Sequence, residues 1–372
     1  MKDILLFDFS KSKNENPCLR SKMKETTNDR TQNEHASIKV LGIMMLALLM
    51  LVSIAGAVPF AYITNSGNET GTVSVIDMTN NTVTATVPVG NVPVGIAILP
   101  DASKVYVTNE GNNTVSVIDT VTNDVTDTVN VGSFPWGIAV NPDGTKVYVA
   151  NAGNNTISVI DTVKNIVTAT VNVGDYPFGV AVNPQGTKVY VTNGYSGNIS
   201  IIDTAKNTVT ATVDVGLIPF GVAVNPAGTK VYVANMMDNT ISVIDTATAN
   251  VTATVPVGIS PCGVAVSPDG KNVYVANHGV DSAINSNTVS VIDTATNNVT
   301  ATVQVGIGPY GVAISPDGKK VYVAELSSNN VAVIDTATKT ITATVSVGNG
   351  PIAFGQFIAF PSVAALSASL TS

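Results

Sequence analysis

One period governs the chain beyond residue 58. Tyrosines recur at Tyr62, Tyr106, Tyr148, Tyr190, Tyr232, Tyr274 and Tyr322, at spacings of 44, 42, 42, 42, 42 and 48 residues. Each sits in a Val-Tyr-Val-like triplet. An Ile-Asp pair follows 13, 15 or, once, 19 residues later, giving Asp77, Asp119, Asp161, Asp203, Asp245, Asp293 and Asp335. A Pro-x-Gly comes next in six units, beginning at Pro93, Pro135, Pro177, Pro219, Pro261 and Pro309. The seventh copy is altered to Pro351-Ile-Ala-Phe-Gly355. Self-similarity at this period overrides every other signal, because each unit is one supersecondary element that buries its faces only against its neighbours.

Within a unit the sequence predicts four short strands. In the fourth unit they are Gly179-Val-Ala-Val182, Lys188-Val-Tyr-Val-Thr192, Ile199-Ser-Ile-Ile-Asp203 and Thr208-Val-Thr-Ala-Thr-Val213. β-Branched residues dominate the runs, and Asn, Gly, Pro and Asp separate them, each a turn former for a backbone reason. Four-stranded units of about 40–45 residues describe the blades of a β-propeller. A solenoid would need capping repeats, and none is visible. Only 12% of the residues are charged and mean hydropathy is +0.31, against a usual charged share of about 25%. Blade-on-blade burial of both sheet faces accounts for that shortage.

The ends of the repeat carry a sharper expectation. The body starts on a second-strand sequence, Ala61-Tyr-Ile-Thr64, and ends on a first-strand sequence, Gly355-Gln-Phe-Ile-Ala359. Seven of each are present, one pair being split between the two ends. The fold class is therefore all-β: a seven-bladed β-propeller of four-stranded antiparallel blades over residues 58–360. Its ring is closed by the C-terminal strand joining the N-terminal blade, which removes exposed sheet edges. Residues 361–372 form a tail.

Tyr106-Val-Thr-Asn109 and Tyr190-Val-Thr-Asn193 spell a YVTN signature. Tyr62-Ile-Thr-Asn65, Tyr148-Val-Ala-Asn151, Tyr232-Val-Ala-Asn235 and Tyr274-Val-Ala-Asn277 are close variants, and Tyr322-Val-Ala-Glu325 departs from it. Residues 59–360 resemble the YVTN-family β-propeller repeats, particularly those of archaeal surface-layer and cell-surface proteins. The resemblance implies an extracellular seven-bladed propeller. It does not settle function, since propellers host enzymes, cofactor scaffolds and adhesive surfaces alike.

Residues 1–57 differ from the body. They hold eight of the Lys and Arg residues, while residues 58–372 hold ten Lys, no Arg and twenty Asp or Glu. Residues 40–58 are uncharged and end near Ala55-Gly56-Ala57, a small-x-small pattern. A cleaved secretory signal is expected, with an uncleaved signal-anchor as the alternative. The polar stretch ahead of this run is long for a signal, and Met23 would make a more ordinary start. Either way the body is expected outside the cell, secreted or at its surface. Cys18 and Cys262 are too few for a disulfide framework and fall on opposite sides of the apolar run.

Several polar and aromatic sets invite a functional reading. The seven aspartates after Ile suggest a metal ring, but each opens an Asp-Thr-x-x-Asn turn where an Asx side chain bonds nearby backbone N–H groups. The tyrosines read as core residues whose hydroxyls need one partner each. The x positions of Pro-x-Gly vary within a constant frame: Val94, Trp136, Phe178, Phe220, Cys262 and Tyr310. Their loops should ring the channel mouth. Trp136, Phe178, Phe220 and Tyr310 are thus candidates for a binding face, and burial between blades is the competing account. The sixth loop between second and third strands is six residues longer, and its His278, Asp281 and Asn285 fit no calcium-loop spacing. N-glycosylation sequons occur at Asn68, Asn80, Asn112, Asn154, Asn198, Asn250 and Asn298, all placed in expected loops.

The acidic body, with one histidine and no arginine, excludes a nucleic-acid binder. There is no Ser-His-Asp set, no metal cluster and no phosphate loop, so neither a catalytic residue nor a cofactor is expected. The first expectation is a cell-surface structural or interaction protein, with other surface proteins or envelope glycans as partners. Membrane contact is expected only through the N-terminal segment, if uncleaved. The second is a secreted glycan- or peptide-binding module using the Pro-x-Gly face. The third is a lactonase-like propeller enzyme with Glu325 or Asp281 as its acid.

Overall fold

A computed structural model describes residues 59–67, 70–279 and 287–359. The residue 40–58 segment, Cys18, Asn68, Asp281, Asn285 and the tail lie outside them. The described chain forms seven antiparallel sheets in sequence order, as expected of seven blades. In the third blade the inner strand is Pro135–Val140, followed outward by Lys146–Asn151, Thr156–Asp161 and Ile166–Asn172. The burial pattern explains the composition. Second and third strands are buried on both faces, whereas the outermost alternate between exposed and half-buried residues. A run such as Val-Tyr-Val therefore has no solvent side, as in any sheet covered on both faces.

Two register shifts recur. Each complete inner strand is irregular after its proline: Pro135 pairs with Asn151, but pairing resumes only at Ile138 opposite Val149. The Gly of Pro-x-Gly lies in this gap. In the outer pair, Ala169 faces Val159 and Val167 faces Ile160, so Thr168 is the extra residue. Its hydroxyl returns to Val159 O at 3.2 Å. Such bulges sharpen the strand twist. The turn between third and fourth strands follows the Asx expectation. Asp161 Oδ1 accepts the N–H groups of Val163 at 3.1 Å and Lys164 at 2.8 Å, and Asn165 completes the turn with φ of +52°.

The ring closes as expected, with one refinement. Ile358–Ala359 pairs antiparallel with the first blade's Phe60–Asn65, and Tyr62 N–H donates to Phe357 O at 2.8 Å. Pro351 bridges Asn65, the pairing that Pro makes with the signature Asn, or with Glu325 in the seventh blade, in the complete blades. Pro351-Ile352-Ala353 is therefore the seventh Pro-x-Gly. Two extra residues follow it, since Ile358 lies seven residues past its proline where Val266 lies five past Pro261. The extra pair, Phe354–Gly355, leaves the first blade and joins the inner edge of the second in parallel, opposite Gly95 and Ile96. The closing segment is thus split between two blades rather than one continuous strand.

The signature residues now have physical roles. Asn151, fully buried, donates from Nδ2 to Thr156 Oγ1 and Ser158 Oγ, at 3.1 and 2.9 Å, and its Oδ1 accepts from Gly132 N–H at 3.1 Å. The Thr of the signature joins blades: Thr108 Oγ1 accepts Gly95 N–H at 2.7 Å and donates to Trp136 O of the next blade at 2.7 Å. Thr192 repeats this with Gly179 and Phe220, and Thr64 with Ala353 and Val94. All seven tyrosines are at most 2% exposed. Tyr106 Oη reaches Asn165 Oδ1 at 3.0 Å. The hydroxyls of Tyr148, Tyr232 and Tyr322 are buried without a partner among the described residues, short of the one partner each was expected to have. Burial pushes those three phenols up to about 12.

Candidate functional site

The inner strands surround an axial cavity of about 630 Å³. Side chains one or more residues past each Pro-x-Gly glycine form its wall, including Ala139, Val180, Val222, Val264 and Val312. Pro100, Pro142, Pro226 and Pro268, from the turns between first and second strands, line it as well. Asn141 and Gln356 are its polar side chains, and none of the lining residues carries a titratable group. No group of three or more His, Cys, Asp or Glu side chains suited to a metal ion occurs among the described residues.

At the opposite end the x residues of Pro-x-Gly turn inward and meet across the axis. Val94, Phe178, Phe220, Cys262, Tyr310 and Ile352 form one buried cluster with Phe354, and Trp136 packs against it. Phe220 is the hub. Its ring lies 4.5 Å from Phe178, 5.2 Å from Phe354, 5.7 Å from Tyr310 and 6.0 Å from Trp136, centroid to centroid. Most of these pairs are edge-to-face, the arrangement favoured by the ring quadrupole. Burial pushes the Tyr310 phenol and the Cys262 thiol well above their ordinary values, so the plug stays neutral.

Of the four proposed face residues, Phe178, Phe220 and Tyr310 are therefore at most 8% exposed, and Trp136 is half-buried, its indole N–H without an acceptor among the described residues. Burial is the better account of them, but across the axis rather than between blades. Two plug residues escaped sequence reading. Ile352 was hidden by the altered seventh copy, and Phe354 by the two-residue insertion; the signal available was that insertion itself. His278 packs edge-on against Tyr310 with centroids 5.7 Å apart.

Glu325, the residue that breaks the signature, is 2% exposed and does not line the channel. Its Oε1 accepts Gly306 N–H at 2.7 Å, the role Asn plays elsewhere. Burial raises its carboxyl above the ordinary 4.5, against the pull of that N–H. Among the sequons, Asn80, Asn112, Asn154, Asn250 and Asn298 are exposed, and Asn198 is half-buried with Oδ1 accepting from Asn193 Nδ2. Asn198, Asn250 and Asn298 open strands rather than lie in loops.

A ring of seven four-stranded blades around a neutral channel defines a β-propeller. A family model described as "Lactonase, 7-bladed beta-propeller" matches residues 72–224 and 221–351, and the chain belongs to this family. Among curated proteins, none is significantly similar in sequence. Among solved structures, a chain of Kuenenia stuttgartiensis hydrazine synthase is similar with a TM-score of 0.65 and 26% identity, over 75% of this chain and 96% of that one. A functionally unknown protein from Desulfotomaculum acetoxidans DSM 771 superposes with a TM-score of 0.68 over 80% of this chain and 99% of its own. At 17% identity that second likeness shows the fold alone.

Proposed function

We propose that this protein is a non-catalytic contact module of the cell surface, a propeller that holds other surface proteins or envelope glycans. The observation that carries this reading is the channel. Propeller chemistry at the axis would call for acids, bases or ligands on the inner wall, and this wall presents aliphatic side chains, backbone and the two amides of Asn141 and Gln356, with the aromatic residues gathered in the plug. Similarity of the signature to surface-layer repeats, and the apolar segment at residues 40–58, support an exported location. Fractionation of cells making the full chain tests it: the protein is expected with the envelope, and a wholly soluble pool would overturn the reading.

Family membership favours a second reading, a lactone-opening enzyme, with Glu325 as the acid among the described residues. Incubation of the purified chain with γ- and δ-lactones separates the two. Ring opening above background that vanishes in Glu325→Gln would favour the enzyme.

A further inference from the structure

The face that carries the plug is built from paired loops. In each blade the loop entering the inner strand bonds the loop between second and third strands. Tyr195 N–H donates to Asp175 O at 3.1 Å, Met237 N–H to Leu217 O at 3.3 Å, and Ser327 N–H to Ile307 O at 3.1 Å. In this otherwise regular frame the exposed positions are apolar on one side only. Phe134, Tyr195, Leu217, Met237, Ile259 and Ile307 are 40–68% exposed, and they run in an arc from the third blade to the seventh. At the bonded pair of positions the first three blades place Asn349 with Gly67, Asn91 with Gly111 and Ser133 with Gly153, and in the third the exposed apolar residue is Phe134, whose O accepts from Ala152 N–H. The other exposed apolar side chains, such as Val121 and Val163, stand singly on the opposite face or on outer strands, as is normal for any surface.

The body's positive charge is confined to the opposite face, where it stands among the Asp turns. All ten lysines of the body lie on the opposite face: five open the second strands, like Lys104, two sit in the preceding turns, like Lys271, and three in the turns between third and fourth strands, like Lys164. Among the described residues the plug face carries Glu110, Asp175, Asp214 and Asp238, and no lysine or arginine. An arc that is apolar, with carboxylates and no lysine or arginine among the described residues of its face, attracts cations and repels anions.

We propose that this arc is a docking surface for a basic polypeptide segment, one that presents Lys or Arg beside aliphatic side chains. The inference deepens the contact-module reading and rests on it. A glycan would stack on rings, yet four of the six exposed residues are aliphatic. An anionic membrane surface would be repelled by the carboxylates. The arc surrounds the plug, so docking there would seat a partner over Trp136, the chain's one tryptophan.

Trp136 fluorescence therefore reports the test. The purified chain is titrated with a short amphipathic Lys/Leu peptide, its Glu/Leu counterpart, phosphatidylglycerol vesicles and a chitin oligosaccharide. Saturable binding of the Lys/Leu peptide alone is expected, weakened by about tenfold in a Leu217→Ser, Met237→Ser variant, the loss typical of truncated anchors. A Val121→Ser, Val163→Ser variant on the opposite face should bind like the parent. Asp175→Asn with Asp238→Asn should flatten the salt dependence, because screening acts on those charges. Equal binding of the acidic peptide, an unchanged Leu217/Met237 variant of parental melting temperature, or binding only of vesicles or oligosaccharide would overturn the proposal. The titration is independent of cell location: its failure leaves an envelope fractionation standing, and a soluble pool with intact peptide binding would sink only the location.

Discussion

Within each blade a few polar side chains do the work of holding buried backbone. Asn151 shows the economy of the signature: one amide serves two hydroxyls and one N–H in a site without water access. Glu325 replaces that amide in the seventh blade, where Ala332 also stands in place of the usual serine. A carboxyl whose folded pKa is raised binds its proton more tightly in the folded state, so stability falls as pH rises from the ordinary 4.5 through the raised value. Glu325→Gln removes that dependence. We expect the variant's melting temperature to gain on the parent's as pH rises above the ordinary 4.5, where the unfolded chain's glutamate has lost its proton and the folded one still holds it. A difference that is flat across this rise would show that the carboxyl titrates normally.

Among the elements, the inner strands make the tightest contacts. A Cβ at Gly221 would stand 2.0 Å from Cys262 O of the next blade, and one at Gly137 would stand 2.1 Å from Phe178 O. Those atoms are backbone and cannot swing aside, so the glycine of Pro-x-Gly is required by blade-to-blade approach. Gly221→Ala is expected to destabilise by roughly 3 kcal/mol, the upper range for overpacking, as read by denaturant unfolding. Parental stability would mean that the blades have slack at this step. The turn and strand pattern of these elements was legible in the sequence because it is local: alternation, Asx turns and Asn-Pro or Ser-Pro corners involve neighbours within a few residues. The destination of the x side chains was not legible. Val94, Phe178, Phe220 and Tyr310 are far apart in sequence, and only closure of the ring brings them to one point.

For the whole molecule, closure is the decisive event. Without residues 351–372 the first blade loses its inner strand, and the inner edges of Phe60–Asn65 and Pro93–Ile98 lose their backbone partners. The plug loses Ile352 and Phe354 in the same step. Unpaired edges template aggregation, so the truncated chain is expected to lose its cooperative melting transition and to elute as higher-order species. An unaltered transition by calorimetry would refute closure through the C-terminal segment.

The sequence by itself determined the class, the number of blades, the order of their strands and the splitting of one blade between the two ends. Periodicity and turn chemistry act over a few residues and repeat seven times, so errors at one copy are corrected by the others. Tertiary structure alone decided that the aromatic x residues plug the channel, that Phe354 crosses to the second blade, and that the apolar arc shares its face with a few carboxylates and with no lysine of the body. Each of these depends on which residues from distant units meet once the ring has closed, and no local pattern encodes that meeting.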